Sequence, residues 1–166
     1  MKNVLVMMTV LILVSLLAAG CGKSADQLKM EGDLAKEITT LHDGLMAKMP
    51  QISDLLNKIP ELSAQGEMLA KKYPKAAEAL KTDGLKSASE MLVKAKSSME
   101  AWMKGFKPYD VEMKHDDVIK ALTQQKDDLT KMKGEFDTAL TGATGSVETY
   151  SKTIEDLTAK TVAKKK

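Results

Sequence analysis

The chain is predicted to be all-α: an antiparallel bundle of three long helices, or four if the first arm breaks at Pro50 or Pro60, preceded by a signal-peptide helix. Three observations predict this. Apolar residues recur at alternating three- and four-residue steps over most of the length. The helix formers Ala, Leu, Met, Lys and Glu dominate after residue 25, while aromatic residues make up only 4%. No stretch alternates polar and apolar residues as a half-buried strand does.

The N-terminal run differs from the rest. Met1-Lys2-Asn3 is a short positive start, and Val4 to Leu17 is almost entirely Val, Leu, Ile and Met. As a helix, about fourteen apolar residues reach roughly 21 Å, short of a hydrocarbon core of roughly 30 Å, so a signal peptide is the better reading than a permanent span. Leu17-Ala18-Ala19-Gly20-Cys21 then resembles a lipobox, the motif at which bacterial lipoproteins are acylated on the cysteine and cut before it. Small residues let the chain lie extended in a peptidase groove, and Cys21 supplies the one thiol. Since Cys21 is the sole cysteine, disulfides and thiolate metal clusters within one chain are excluded. The resemblance implies a cell-envelope protein joined to a membrane through acyl groups on Cys21. Gly22, where an Asp would retain a diderm lipoprotein, points to the outer membrane, facing the periplasm or exterior; in a monoderm cell the address is the membrane at the cell surface. The expected division is residues 1–20 as signal peptide, 21–25 as lipidated cysteine and short tether, 26–162 as helical bundle domain and 163–166 as basic tail.

In the first arm, Leu34, Ile38, Leu41, Leu45 and Met49 continue through Ile52, Leu55, Ile59, Leu62, Gly66, Leu69 and Tyr73 on one helical spacing. Pro50 and Pro60 interrupt it; an interior proline costs about 3 kcal/mol, so the arm is either kinked or two helices end to end. Breaks follow at Tyr73-Pro74 and at Thr82-Asp83-Gly84, with Asp83 a candidate cap. The second arm carries Leu85, Ala88, Leu92, Ala95, Met99, Trp102 and Phe106, a regular packed seam ended by Gly105 to Asp110. The third runs from Val118 through Leu122, Gln125, Leu129, Met132 and Phe136 to Ala139, Ala143, Val147, Tyr150, Ile154, Leu157 and Thr161, with His115-Asp116-Asp117 placed to cap it. Gly142 and Gly145, each about 1 kcal/mol worse than Ala in a helix, predict a bend or fraying past residue 141. His42 to Ile59 aligns without gaps on His115 to Met132, which reflects either duplication or two helices of similar pattern.

All 25 basic residues are lysines, set against 23 acidic ones. A chain without arginine lacks the bidentate forks that read phosphate and carboxylate, and no basic face is interleaved with aromatics, so nucleic-acid binding is not expected. Nor is catalysis: no nucleophile motif, phosphate loop or zinc signature is present, and the two histidines stand far apart in sequence. The richest chemistry is thioether. His42, Met46 and Met49 fall at i, i+4 and i+7, and Met99, Trp102 and Met103 within one turn. Met, His and an indole face suit Cu(I) or Ag(I), giving an alternative in which these six residues bind a soft cation; the plainer reading is that Met and Trp on seams are core. A third class is a coiled-coil scaffold or adaptor that oligomerises or takes a protein partner through seam residues past Ala143.

His42-Asp43-x-x-Met46, then Met99-x-x-Trp102-Met103-x-x-Phe106, then a long amphipathic helix, resemble a group of small helical lipoproteins from Bacteroidota, some labelled "viral A-type inclusion protein". The resemblance spans most of the chain after Cys21. It implies an all-helical body and an envelope address and nothing further; the expectation of a non-catalytic binding or structural role with no cofactor comes from the residues themselves.

Overall fold

A computed structural model describes residues 22–110 and 112–163, with backbone only for 161–163. It is helical throughout: α1 (Ala25–Met46), α2 (Met49–Lys72), α3 (Asp83–Gly105) and α4 (His115–Ala163), with 3₁₀ turns at Pro74–Ala76 and Glu78–Leu80. No strand occurs among the described residues, and no helix there is long and apolar enough to cross a membrane. The signal-peptide helix, Cys21 and Lys164–Lys166 lie outside the described residues.

The first arm does divide, at Ala47-Lys48. The Lys48 N–H turns back to the Leu45 carbonyl at 3.0 Å, a tighter i→i−3 bond, and Pro50 stands in the opening turn of α2, where its missing N–H costs little. Pro60 breaks nothing and stays inside α2. It lies on the exposed face between the buried residues Leu55, Ile59 and Gly66, whose packing holds the helix across the lost hydrogen bond.

The expected fraying past residue 141 does not occur, and α4 is continuous helix over 49 residues. Two glycines cost about 2 kcal/mol together, whereas burying Val147, Tyr150 and Ile154 beyond them contributes about 1.5–3 kcal/mol each. Burial wins. Neither Asp83 nor Asp116 and Asp117 is a cap: the carbonyls of Thr82 and Lys114 receive the first intrahelical bonds, which puts all three acids inside the first turns, where they favour the positive end of the helix dipole. The two segments of the internal similarity also differ, since His42 to Ile59 crosses the break while His115 to Met132 is unbroken helix.

The chain clusters into two compact units. The first comprises Met1–Gly44 with Met103–Lys131, the second Leu45–Trp102 with Met132–Lys166. In the first, Glu31 meets His115 and Glu37 meets Lys126, so α1 and the start of α4 run in the same direction. Its core includes Ile38, Val118, Leu122 and Leu129.

In the second unit, Lys48 pairs with Asp137 and Gly66 backs onto Tyr150, so α2 parallels the later part of α4. Between them in sequence, α3 runs the other way, with Lys94 near Glu135 and the Met91 methyl near Gly142. This is the up-down-up antiparallel arrangement that short connections produce. Leu85, Ala88, Leu92, Ala95 and Met99 are buried as one seam of α3. Tyr150 locks the unit: its hydroxyl donates to the Leu80 carbonyl at 2.8 Å. A Cβ on Gly66 would fall 1.9 Å from that hydroxyl, so only glycine admits the ring there.

Candidate functional site

The residues just behind Cys21 are tightly held. Gly22 takes a positive φ of 38°, which glycine adopts without strain. Ser24 then opens α1 with a reciprocal capping box: the Gln27 N–H donates to Ser24 Oγ at 3.3 Å, and the Ser24 N–H donates to Gln27 Oε1 at 2.9 Å. Between them, Lys23 reaches across two turns of α1 to Glu31, with Nζ 2.9 Å from Oε1 and 3.1 Å from Oε2.

Glu31 is the one buried charged side chain among the described residues, at 3% exposure. An ionised carboxylate out of water is unfavourable by several kcal/mol unless paired and hydrogen-bonded. Lys23 supplies the pairing. The other partner stands 84 positions on: His115, the first residue of α4, donates from Nδ1 to Glu31 Oε1 at 2.9 Å. A carboxylate can only accept, which fixes that nitrogen as the protonated one. Tyr109 is half-buried beside this cluster. Burial raises its phenol pKa above the usual value and the Glu31 charge adds to the effect, with Lys23 acting in the opposite sense. Lys23, Glu31 and His115 thus join the segment behind Cys21 to α1 and α4 within the first unit.

Sequence reading missed this clasp, although two signals were there. Ser24-Ala25-Asp26-Gln27 has the S-x-x-Q form of a capping box. Counting the first seam back by sevens from Ile38 lands on Glu31, and counting forward passes through Leu45, Ile52, Ile59 and Gly66, all buried. A carboxylate in that register was a core residue in disguise.

The Met, His and Trp residues are more dispersed. His42 and Met46 lie one turn apart on α1, both half-buried, and His42 Nδ1 is 3.1 Å from Asp43 Oδ1. Met49 opens α2 on the other side of the Ala47-Lys48 turn, so the three do not share one continuous helix. Met99 is fully buried in the α3 seam, while Trp102 and Met103 are half-buried at its end. His42 and Met103 belong to the first unit, and Met46, Met49, Met99 and Trp102 to the second. No group of three or more His, Cys, Asp or Glu able to hold a metal ion occurs among the described residues. Gln125, on the α4 seam, is half-buried and donates from Nε2 to the Lys107 carbonyl at 3.3 Å, fastening the α3–α4 connection.

The second unit has an open groove of about 490 Å³, whose lining includes Lys81, Thr141, Gly142, Ser146, Thr149 and Thr153. Lys81 is paired with Glu78 at 2.7 Å. Hydroxyls and glycines from α4 make up much of this surface, and Lys81 is its one charged side chain.

Comparison of the chain with protein-family models, with curated proteins and with solved structures finds no match.

Proposed function

We propose that this is a lipid-anchored protein of the bacterial cell envelope, an outer-membrane lipoprotein in a diderm cell, whose helical body has a non-catalytic binding or structural role. The observation that carries the reading is Leu17-Ala18-Ala19-Gly20-Cys21 behind an apolar run of signal-peptide length. The helical body begins close behind the cysteine: α1 starts at Ala25, leaving only Gly22 to Ser24 between them. A single acyl chain anchors marginally and two or more hold firmly. The test is intact-mass analysis of protein purified from membranes. The expected mass is that of a chain beginning at Cys21 and carrying acyl groups, with a Cys21→Ala variant released to the soluble fraction. An unmodified Cys21, or a Cys21→Ala chain still membrane-bound, overturns the reading.

A second reading, a Cu(I)- or Ag(I)-binding role, draws on His42 and Met46 one turn apart on α1. Anaerobic titration against a Cu(I) chelator tests it: the native chain should compete measurably better than a His42→Ala/Met46→Leu variant, and equal competition eliminates the site.

A further inference from the structure

Lipid-anchored proteins are ordinarily pictured as bodies on loose tethers, and the first unit has no room for one. Chain geometry keeps the Cα of residue 21 within about 7.6 Å of that of Lys23. Lys23 is itself fastened to Glu31, and Glu31 to His115, while Ser24 is fixed by its capping box with Gln27. Gly22 alone separates the attachment point from residues held in the folded unit. A further observation concerns the same end. Of the four large hydrophobic side chains exposed among the described residues, two, Leu28 and Met30, lie in the opening turns of α1.

We infer that Lys23 and Ser24, fixed by the clasp and the capping box and joined to Cys21 through Gly22 alone, form a short strut, not a loose tether, and that the strut holds the first turns of α1, with Leu28 and Met30, and the start of α4 against the lipid surface in which Cys21 is anchored. The inference rests on the lipid-anchor reading above and adds an orientation to it. The occupant of this end is a bilayer surface. Leu28 and Met30 meet its interfacial zone, and the Lys23–Glu31–His115 clasp transmits the position of the anchor to the helices.

Because acylation consumes the only native thiol, a cysteine introduced elsewhere can be labelled alone. Two full-length acylated proteins, Lys114→Cys and Asp127→Cys, each carry a fluorophore and are placed in phosphatidylcholine vesicles containing a headgroup-nitroxide lipid. Both positions are exposed in the first unit, and position 127 lies about 20 Å farther along the polypeptide if measured at helical rise. The strut predicts several-fold stronger quenching at 114 than at 127. It also predicts that a Lys23→Met/Glu31→Gln background, which removes both charges together so that neither is left buried alone, brings the two signals close to equality. A second disruption leaves the clasp intact: a Gly/Ser insert of about six residues between Cys21 and Gly22 adds a flexible reach of about 13 Å and should equalise quenching just as well. Equal quenching in the parent, or an orientation that survives the flexible insert, overturns the strut. Intact mass tells the two failures apart, since acylated Cys21 with no orientation removes the strut alone, and an unmodified Cys21 removes both.

Discussion

Glu31 shows how one side chain decides the behaviour of its surroundings. Removing it while leaving Lys23 and His115 in place strands cationic and polar groups in a site built for a carboxylate, so Glu31→Ala should lower unfolding free energy by about 3–5 kcal/mol. The Lys23→Met/Glu31→Gln double variant should cost far less, because well-packed neutral groups can replace a buried pair with little loss. Urea denaturation of the three proteins checks the contrast, and equal losses would mean that Glu31 acts by shape alone. Gly66 is the converse case, a residue defined by what it lacks. Gly66→Ala drives a methyl into the Tyr150 ring, and overpacking of that kind costs about 1–3 kcal/mol, read as a lower thermal midpoint. Apolar burial was legible residue by residue, as the α3 seam shows, because hydrophobic spacing is itself the signal. Glu31 occupied the same register but carried no apolar mark, Gly66 could be placed on the seam but not against Tyr150, and Lys23 and His115 were hidden because their common partner is set by tertiary contact.

Among the elements, α4 offers the cleanest comparison. A Cβ at Gly145 meets nothing within 4 Å, while one at Gly142 comes 3.2 Å from the Met91 methyl. Gly145→Ala should therefore stabilise by about 1 kcal/mol, with a smaller gain for Gly142→Ala, whose helical benefit is offset by displacing the end of a flexible side chain. Thermal melts of the pair rank them, and a Gly145→Ala protein no more stable than the parent would mean the glycine serves some need beyond helix formation. Helix identity was readable from periodicity throughout. Continuity was not. Prolines at 50 and 60 look alike in sequence, yet one stands in a first turn and the other within α2, and only packing determines that the first interruption became a boundary while the second did not. The glycines of α4 misled for the same reason: propensity is local, and the burial that outweighs it comes from other helices.

For the molecule as a whole, the two units together make stability depend on pH at both ends of the scale, and Tyr150 of the second, raised by burial, adds to the alkaline side. In the second, hydrogen bonds from Lys48 and then Lys133 hold the Asp137 carboxyl below its usual pKa. A depressed folded pKa favours the ionised state, so this stabilisation is complete above the unfolded carboxylate value of about 3.9 and is lost as pH falls through the lower folded one. In the first unit, Tyr109 is raised, chiefly by burial. The folded state therefore holds that proton more tightly, and stability declines as pH climbs above the unfolded phenol value of about 10. Asp137→Asn should flatten the acid limb of a plot of thermal midpoint against pH, and Tyr109→Phe the alkaline limb. A limb unchanged by its substitution would locate the sensitivity elsewhere. All-helical architecture could be read from the sequence before any coordinates; the partition into two units could not, since α4 contributes to both without any break in its pattern.

The bond between Glu31 and His115 joins residues 84 positions apart. Synthesis proceeds from the N-terminus, so the clasp cannot close until the first turn of α4 has been made. Under the lipid-anchor proposal, the absence of the clasp until then leaves Lys23 free of Glu31's second partner while Cys21 is in the groove of a modifying enzyme. If Cys21 is acylated as proposed, order of manufacture reconciles two demands that a finished fold would set against each other: a cysteine pliable while it is processed and held close to the body once it bears weight.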